Sequence, residues 1–198
     1  MFLKNSWYVA AFTGDLQDQV LLARQILGEK LVIWRTAAGD PVVFEDRCPH
    51  RFVPLSAGRK VRDTVQCGYH GMRFGKDGRC VAIPGQAQIP PTARVPSYPV
   101  VEKYGLIWVW MGDAATATVE MIPDLPWMEE AAWVPTKGYT YIRADYRLLN
   151  DNLLDLSHES YIHEGTIGND ETDSIAEYPL SVTVEDGRVI RAHRDMIN

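Results

Sequence analysis

Cys48-Pro49-His50 and, after sixteen intervening residues, Cys67-Gly68-Tyr69-His70 are the two short stretches on which the reading of this chain turns. Each offers one sulfur and one imidazole nitrogen from a tight loop. Thiolates suit the iron of a 2Fe–2S pair that stays ferric, and neutral imidazoles suit the iron that takes up the electron. Replacing two thiolates by imidazoles removes negative charge. Reduction becomes easier, and the potential rises from about −400 mV into a range of roughly −150 to +300 mV. Two Cys and two His also make a structural zinc set, but finger spacing keeps the cysteines together and the histidines together, whereas here they interleave. A Cys48–Cys67 disulfide is the remaining alternative. Three cysteines in 198 residues are too few for a disulfide framework. The third, Cys80, reads as a small buried thiol.

Working outward, the first 110 residues read as short strands divided by turns. Candidate strands cover 22–27, 30–35, 42–45, 61–66, 79–83, 98–102 and 106–110, most of them rich in Val, Ile, Trp and Tyr. Ala38-Gly39-Asp40, Lys76-Asp77-Gly78 and Lys103-Tyr104-Gly105 punctuate them. This predicts a small antiparallel all-β sandwich or barrel over residues 1–112, followed by a linker at 113–138 and the incomplete start of an α+β domain at 139–198. Trp108 and Trp110 read as core or interface aromatics. Residues 139–147 alternate like a strand, 148–163 read as a helix, and 181–193 as a hairpin turning at Glu185-Asp186-Gly187. The net charge of 20 − 26 = −6 speaks against a general nucleic-acid or anionic-membrane partner. No apolar run reaches the roughly 18–20 residues that span a bilayer. A cytoplasmic protein is expected.

A second group of ligand types follows the linker as Asn152-x2-Asp155-x2-His158-x4-His163. Two histidines with one carboxylate on one face, leaving open positions, hold the Fe(II) of mononuclear oxygenases. The two histidines are five residues apart. At about 100° per residue the second ring points roughly 140° away from the first on a regular helix. Both can meet one ion only if the helix is distorted or ends early, and the spacing predicts that distortion around residues 159–162.

Cys48-Pro-His-Arg and Cys67-Gly-Tyr-His-Gly-Met-Arg-Phe74 resemble the two cluster loops of the Rieske family, with Met72 where tryptophan is frequent. Residues 150–163 resemble the iron-binding helix of Rieske non-haem iron oxygenases. Residues 5–11 and 48–56 are similar to the vanillate O-demethylase oxygenase group. The resemblance implies a 2Fe–2S cluster on Cys48, His50, Cys67 and His70, and Fe(2+) on His158 and His163. It implies Asp155 as a carboxylate bonded to His158 that carries electrons to the iron from a cluster histidine of the neighbouring subunit. Asn152, or in its place Asp151, lies near the iron. It further implies a homotrimer, a flavin and iron–sulfur reductase drawing on NAD(P)H, and O2-dependent demethylation of a methoxylated aromatic acid such as vanillate. Ring dihydroxylation, or an electron carrier of the Rieske ferredoxin kind, are the alternatives. The family's third iron ligand is an acid far downstream of the histidine pair. Asp170, Glu171, Asp173, Glu177, Glu185, Asp186 and Asp195 are at hand, but none has the matching context, so either the chain is a fragment or truncated reading frame, or it is no longer an active oxygenase.

Overall fold

In a computed structural model, residues 2–163, 165–166, 174–187 and 189–195 are described, and the chain divides into two compact units, Met1–Thr136 and Lys137–Asn198. The first unit runs β1 (Ser6–Phe12), β2 (Leu22–Ile26), β3 (Glu29–Arg35), β4 (Pro41–Glu45), β5 (Arg59–Val61), β6 (Thr64–Gln66), β7 (Arg73–Phe74), β8 (Cys80–Ala82), β9 (Ser97–Tyr98), β10 (Val100–Lys103) and β11 (Leu106–Met111). They form three antiparallel sheets, ordered β1-β11-β10, β2-β3-β4-β9 and β5-β6-β7-β8.

The middle sheet explains why Leu31-Val-Ile-Trp34 is apolar without interruption. Successive side chains leave a strand on opposite faces. Val32 and Trp34 of β3, with Val42 and Phe44 of β4, join a core that contains Cys48, Leu55, Val65, Cys67, Met72 and Phe74. Leu31, Ile33 and Val43 face the other way, into a core with Ala10, Ala11, Ile107, Val109 and Met111. Strands buried on both sides need apolar residues at every position. Each large side chain fully removed from water contributes about 1.5–3 kcal/mol before the cost of ordering it. The cysteines of the two loops thus belong to one of the two main cores, and Cys80 sits buried in it as expected.

Three local expectations fail for physical reasons. Residues 61–66 are not one strand: Arg62 adopts φ +52, and the chain turns back so that β5 pairs with β6. The strand β1, pairing with β11, was not among the expected strands, because its alanines at 10 and 11 give no β signal until a partner is present. The expected linker at 113–138 is in large part packed on the first unit as three 3-10 turns, Ala114–Thr116, Val119–Met121 and Pro126–Met128. Ile122 is buried against Tyr104 and Trp108, Trp7 Nε1 donates to Thr118 O at 2.7 Å, and Tyr104 Oη donates to Asp124 at 2.7 Å. Trp110 is fully buried and donates to Asp113 O.

The second unit holds α1 (Tyr146–Leu154), α2 (Glu159–Ile162) and a hairpin of β12 (Ser181–Glu185) and β13 (Val189–His193). Residues 139–147 form no strand among the described residues. Instead the Asp145 side chain accepts from the Arg147 amide and starts α1. The expected hairpin forms, with Asp186 and Gly187 at positive φ in its turn. Among the described residues no helix is long and apolar enough to cross a membrane.

Candidate metal centres

The two cysteine loops are structural repeats. In the first, Cys48 N–H donates to Val53 O at 2.9 Å and Phe52 N–H donates to Cys48 O at 2.9 Å. In the second, Cys67 N–H donates to Met72 O at 2.8 Å and Gly71 N–H donates to Cys67 O at 3.1 Å. The offsets are the same, and the residue four after the cysteine is left-handed in both, at φ +59 for Phe52 and +75 for Gly71. The loops differ in the histidine, which stands two places after Cys48 and three after Cys67.

This folding puts sulfur inside and nitrogen outside. Cys48 and Cys67 are 2% and 3% exposed and share one core. His50 and His70 are exposed, with ring centroids 4.8 Å apart. Tyr69 lies against His70, 3.9 Å between centroids. On the other flank the Arg47 guanidinium sits 3.8 Å over the ring of Phe52, which is 60% exposed. Burial pushes the Cys48 thiol up to about 11. The His50 amide pulls it back, and the Cys67 side chain adds to the rise. A bound cation reverses that balance, since a coordinating thiol loses its proton outright. All three cysteines are free thiols. The donors come in twos, two sulfurs and two imidazoles, as a binuclear cluster requires. Among the described residues no three His, Cys, Asp or Glu side chains gather around a single point.

The second group is built at a break in a helix. α1 ends at Leu154, and Asp155 is extended, at φ −101 and ψ 91. A 3-10 turn, Leu156–His158, leads into α2, which lasts one turn and stops before His163. The distortion that the spacing demands is therefore centred on Asp155–His158 and on the early end at His163, with regular helix in between at the place expected to be distorted. Its effect is the required one: the His158 and His163 rings lie 5.5 Å apart.

Asp155 meets His158, but not through its side chain. Its carboxylate does not reach His158. It accepts from Ser157 N–H at 3.0 Å and Ser157 Oγ–H at 2.5 Å, and that hydroxyl bond first of all holds its carboxyl below the usual range. The His158 contact is made by the Asp155 backbone oxygen, which faces Nδ1. The reason is local: an extended Asp155 at a helix start caps the next turn with its side chain and turns its carbonyl inward. A carbonyl at Nδ1 assigns the proton to that nitrogen and makes Nε2 an acceptor. Nε2 points to Asn152 Nδ2 at 3.3 Å. Asn152 is thus brought to His158. A cleft of about 420 Å³, lined by Tyr141, Ile142, Tyr146, Leu149 and Asn152 among others, opens on the same side of α1.

Among the described residues no acid considered as third ligand joins the two histidines in a group of three. Glu185 pairs with Arg191 at 2.7 Å and Asp195 with His193 at 2.8 Å. Asp186 sits in the hairpin turn and Glu177 in a 3-10 turn, Ile175–Glu177. Asp170, Glu171 and Asp173 lie outside the described residues. Sequence reasoning missed Asp46 and Gln66, which brace the two cysteine loops. Their position just before each cysteine was the only signal.

Residues 6–99 match the family model of the Rieske [2Fe-2S] domain, and residues 142–198 match that of the vanillate O-demethylase oxygenase C-terminal domain. The chain is 43% identical, over 175 residues, to a toluene-4-sulfonate monooxygenase system iron-sulfur subunit of Comamonas testosteroni, covering 88% of this chain and 50% of that protein. It is 43% identical over 190 residues to a vanillate O-demethylase oxygenase subunit of a Pseudomonas species, covering 96% and 52%. Among solved structures, dicamba monooxygenase bound to dicamba superposes with a TM-score of 0.88 at 38% identity, covering 98% of this chain and 59% of that one. The chain thus spans about half the length of the curated relatives it matches.

Proposed function

Because the chain belongs to the Rieske non-haem iron oxygenase family, we propose that it forms the cluster domain and the histidine-bearing helix of an oxygenase component that demethylates a methoxylated aromatic acid such as vanillate. One observation carries this reading. The two repeated loops bury a pair of thiols and expose a pair of imidazoles, while a broken helix elsewhere in the chain turns two further imidazoles toward each other. The first set fits 2Fe–2S on Cys48, His50, Cys67 and His70; the second offers two of the three donors of an Fe(2+) site, His158 and His163.

When bound, the cluster supplies single electrons, and the Fe(2+) lets O2 oxidise a methoxy carbon, giving a hemiacetal that collapses to a phenol and formaldehyde. The protein's part is placement. The Asp155 carbonyl fixes the tautomer of His158, so that Nε2 presents its lone pair. The Asp155 carboxylate is exposed, its pKa lowered first of all by the Ser157 hydroxyl, and it would accept from an imidazole of a neighbouring subunit in a homotrimer. Asn152 borders both His158 and a cleft whose size and apolar wall suit a small aromatic acid. The exposed His50 and His70 edges are where a flavin and iron–sulfur reductase, fed by NAD(P)H, would deliver electrons.

A second reading, an electron carrier with no mononuclear iron, is favoured by Glu185 and Asp195 being engaged in other pairs, with Arg191 and His193. Iron content separates the two. Anaerobic reconstitution with iron and sulfide should give a coloured protein whose reduced form shows the low average g value of a mixed Cys/His cluster. About three irons per chain support the oxygenase and about two the carrier. A colourless product would end both.

A further inference from the structure

Asp46 is buried, lies two residues before Cys48, and has no part in the ligand set. Its own amide donates to Lys30 O at 2.8 Å, tying it to β3. Its side chain reaches ten residues ahead: Oδ1 accepts from Ser56 N–H at 2.7 Å and Oδ2 accepts from Ser56 Oγ–H at 2.5 Å. The pair closes the loop that carries Cys48 and His50.

Ser56 does more than close that loop. It lies in a 3-10 turn, Leu55–Ala57, whose Leu55 is fully buried in the core that holds both cysteines. The next two residues press on the second loop, backbone against backbone. A Cβ on Gly58 would stand 2.1 Å from Gln66 O, and a Cβ on Gly68 3.0 Å from Ala57 O. Gln66 and Gly68 flank Cys67. A continuous run of contacts therefore leads from β3 through Asp46 and Ser56 to both sides of Cys67. The second loop's own brace is weaker: Gln66 Nε2 donates to Gly71 O at 3.4 Å, with Gln66 Oε1 held by Arg59 Nε at 2.6 Å.

We propose that the Asp46–Ser56 pair is the strut that sets the distance between the two cysteine loops, and with it the geometry in which Cys48, His50, Cys67 and His70 meet their cluster. Asp46 and Ser56 are positioning residues, and the proposal rests on the cluster reading given above. Either bond lost from this part-buried two-point contact lets Ser56 shift, and Ala57–Gly58 move with it. The loops then separate or slide, and the cluster is gripped from one side only.

The test uses the whole chain, reconstituted anaerobically with iron and sulfide, as wild type, Ser56→Ala, Asp46→Ala and Asp46→Asn. Two properties are read: the g values of the reduced cluster, and the rate at which a chelator bleaches it. Ser56→Ala removes one of the two part-buried hydrogen bonds, and bleaching should quicken about five-fold. Asp46→Ala removes both; bleaching should quicken more than about ten-fold, with displaced g values. Asp46→Asn keeps an acceptor for the Ser56 amide and offers a donor to its hydroxyl, so it should return to within about two-fold of wild type. Wild-type g values and bleaching in both alanine variants overturn the strut, even if the melting temperature falls, because a merely stabilising pair would move only the melt. If Asp46→Ala does not fold, Ser56→Ala decides alone on the same two readings. A wild-type chain that takes up no cluster overturns the underlying reading instead, and the two failures are told apart by that control.

Discussion

Phe52 and Gly71 hold the same left-handed position in their loops, and glycine alone holds it without strain. An L-residue there costs about 1–2 kcal/mol. At Gly71 a Cβ would also stand 3.0 Å from Pro84 Cγ, whereas at Gly85, equally left-handed at φ +73, it would meet nothing within 4 Å. Gly71→Ala should therefore lower the melting temperature of the cluster-free protein more than Gly85→Ala. Gly85→Ala should cost only the backbone share, about 2–4 °C per kcal/mol for a chain of this size. Equal shifts would mean that Pro84 yields freely. In the second group, His158→Ala should abolish binding of a mononuclear iron while the cluster absorption stays. Asp155→Ala should leave both metals bound and nearly stop electron transfer between them, checked by rapid-mixing kinetics of the reduced protein. Cluster loss in His158→Ala would mean that the two centres are misassigned.

At the scale of elements, the middle sheet is the most sensitive part of the first unit. Trp34 is fully buried between Phe44, 5.9 Å away, and the cysteine-bearing core. Trp34→Ala should cost about 3–5 kcal/mol, measured by denaturant unfolding. That is a large share of the roughly 5–15 kcal/mol a domain has in total. Its Nε1 finds no acceptor among the described residues, so Trp34→Phe should cost far less than its lost volume suggests. The same sheet shows what can be read from a sequence. Leu31–Trp34 was legible because a short unbroken apolar run has few homes other than a doubly buried strand. The Cys/His loops were legible because their chemistry is local and their spacing restrictive. β1 and the packing of residues 113–136 were not, since each depends on partners about a hundred positions away: Trp7 on Thr118, Ser6 on Met111. The break in the iron-binding helix was legible as a necessity of the five-residue spacing. Its site was misplaced, although Asp155-Leu-Ser157 carries the capping signal that locates it.

The whole molecule divides into two units of very different self-sufficiency. Residues up to Thr136 fill two extensive cores, and most of the fully buried side chains belong to them. In the unit from Lys137 onward, Tyr139, Tyr141, Leu148, Leu153, Leu154, Val184 and Ile190 are all exposed, and the sheet among its described residues is a two-stranded hairpin exposed along both strands. A lone hairpin is marginal in water, and the few buried residues described here, Ser160, Ser174 and Ile175, supply little apolar burial to set against the entropy of ordering the chain. Residues 1–136 produced alone should therefore melt cooperatively and take up the cluster with the same g values as the 198-residue chain. Residues 137–198 alone should show no cooperative melt by calorimetry and should bind an apolar dye. The contrast follows from burial alone, independently of what either unit catalyses. A sharp calorimetric transition in the isolated second piece, with no dye bound, would show that exposure of its apolar side chains does not govern its stability.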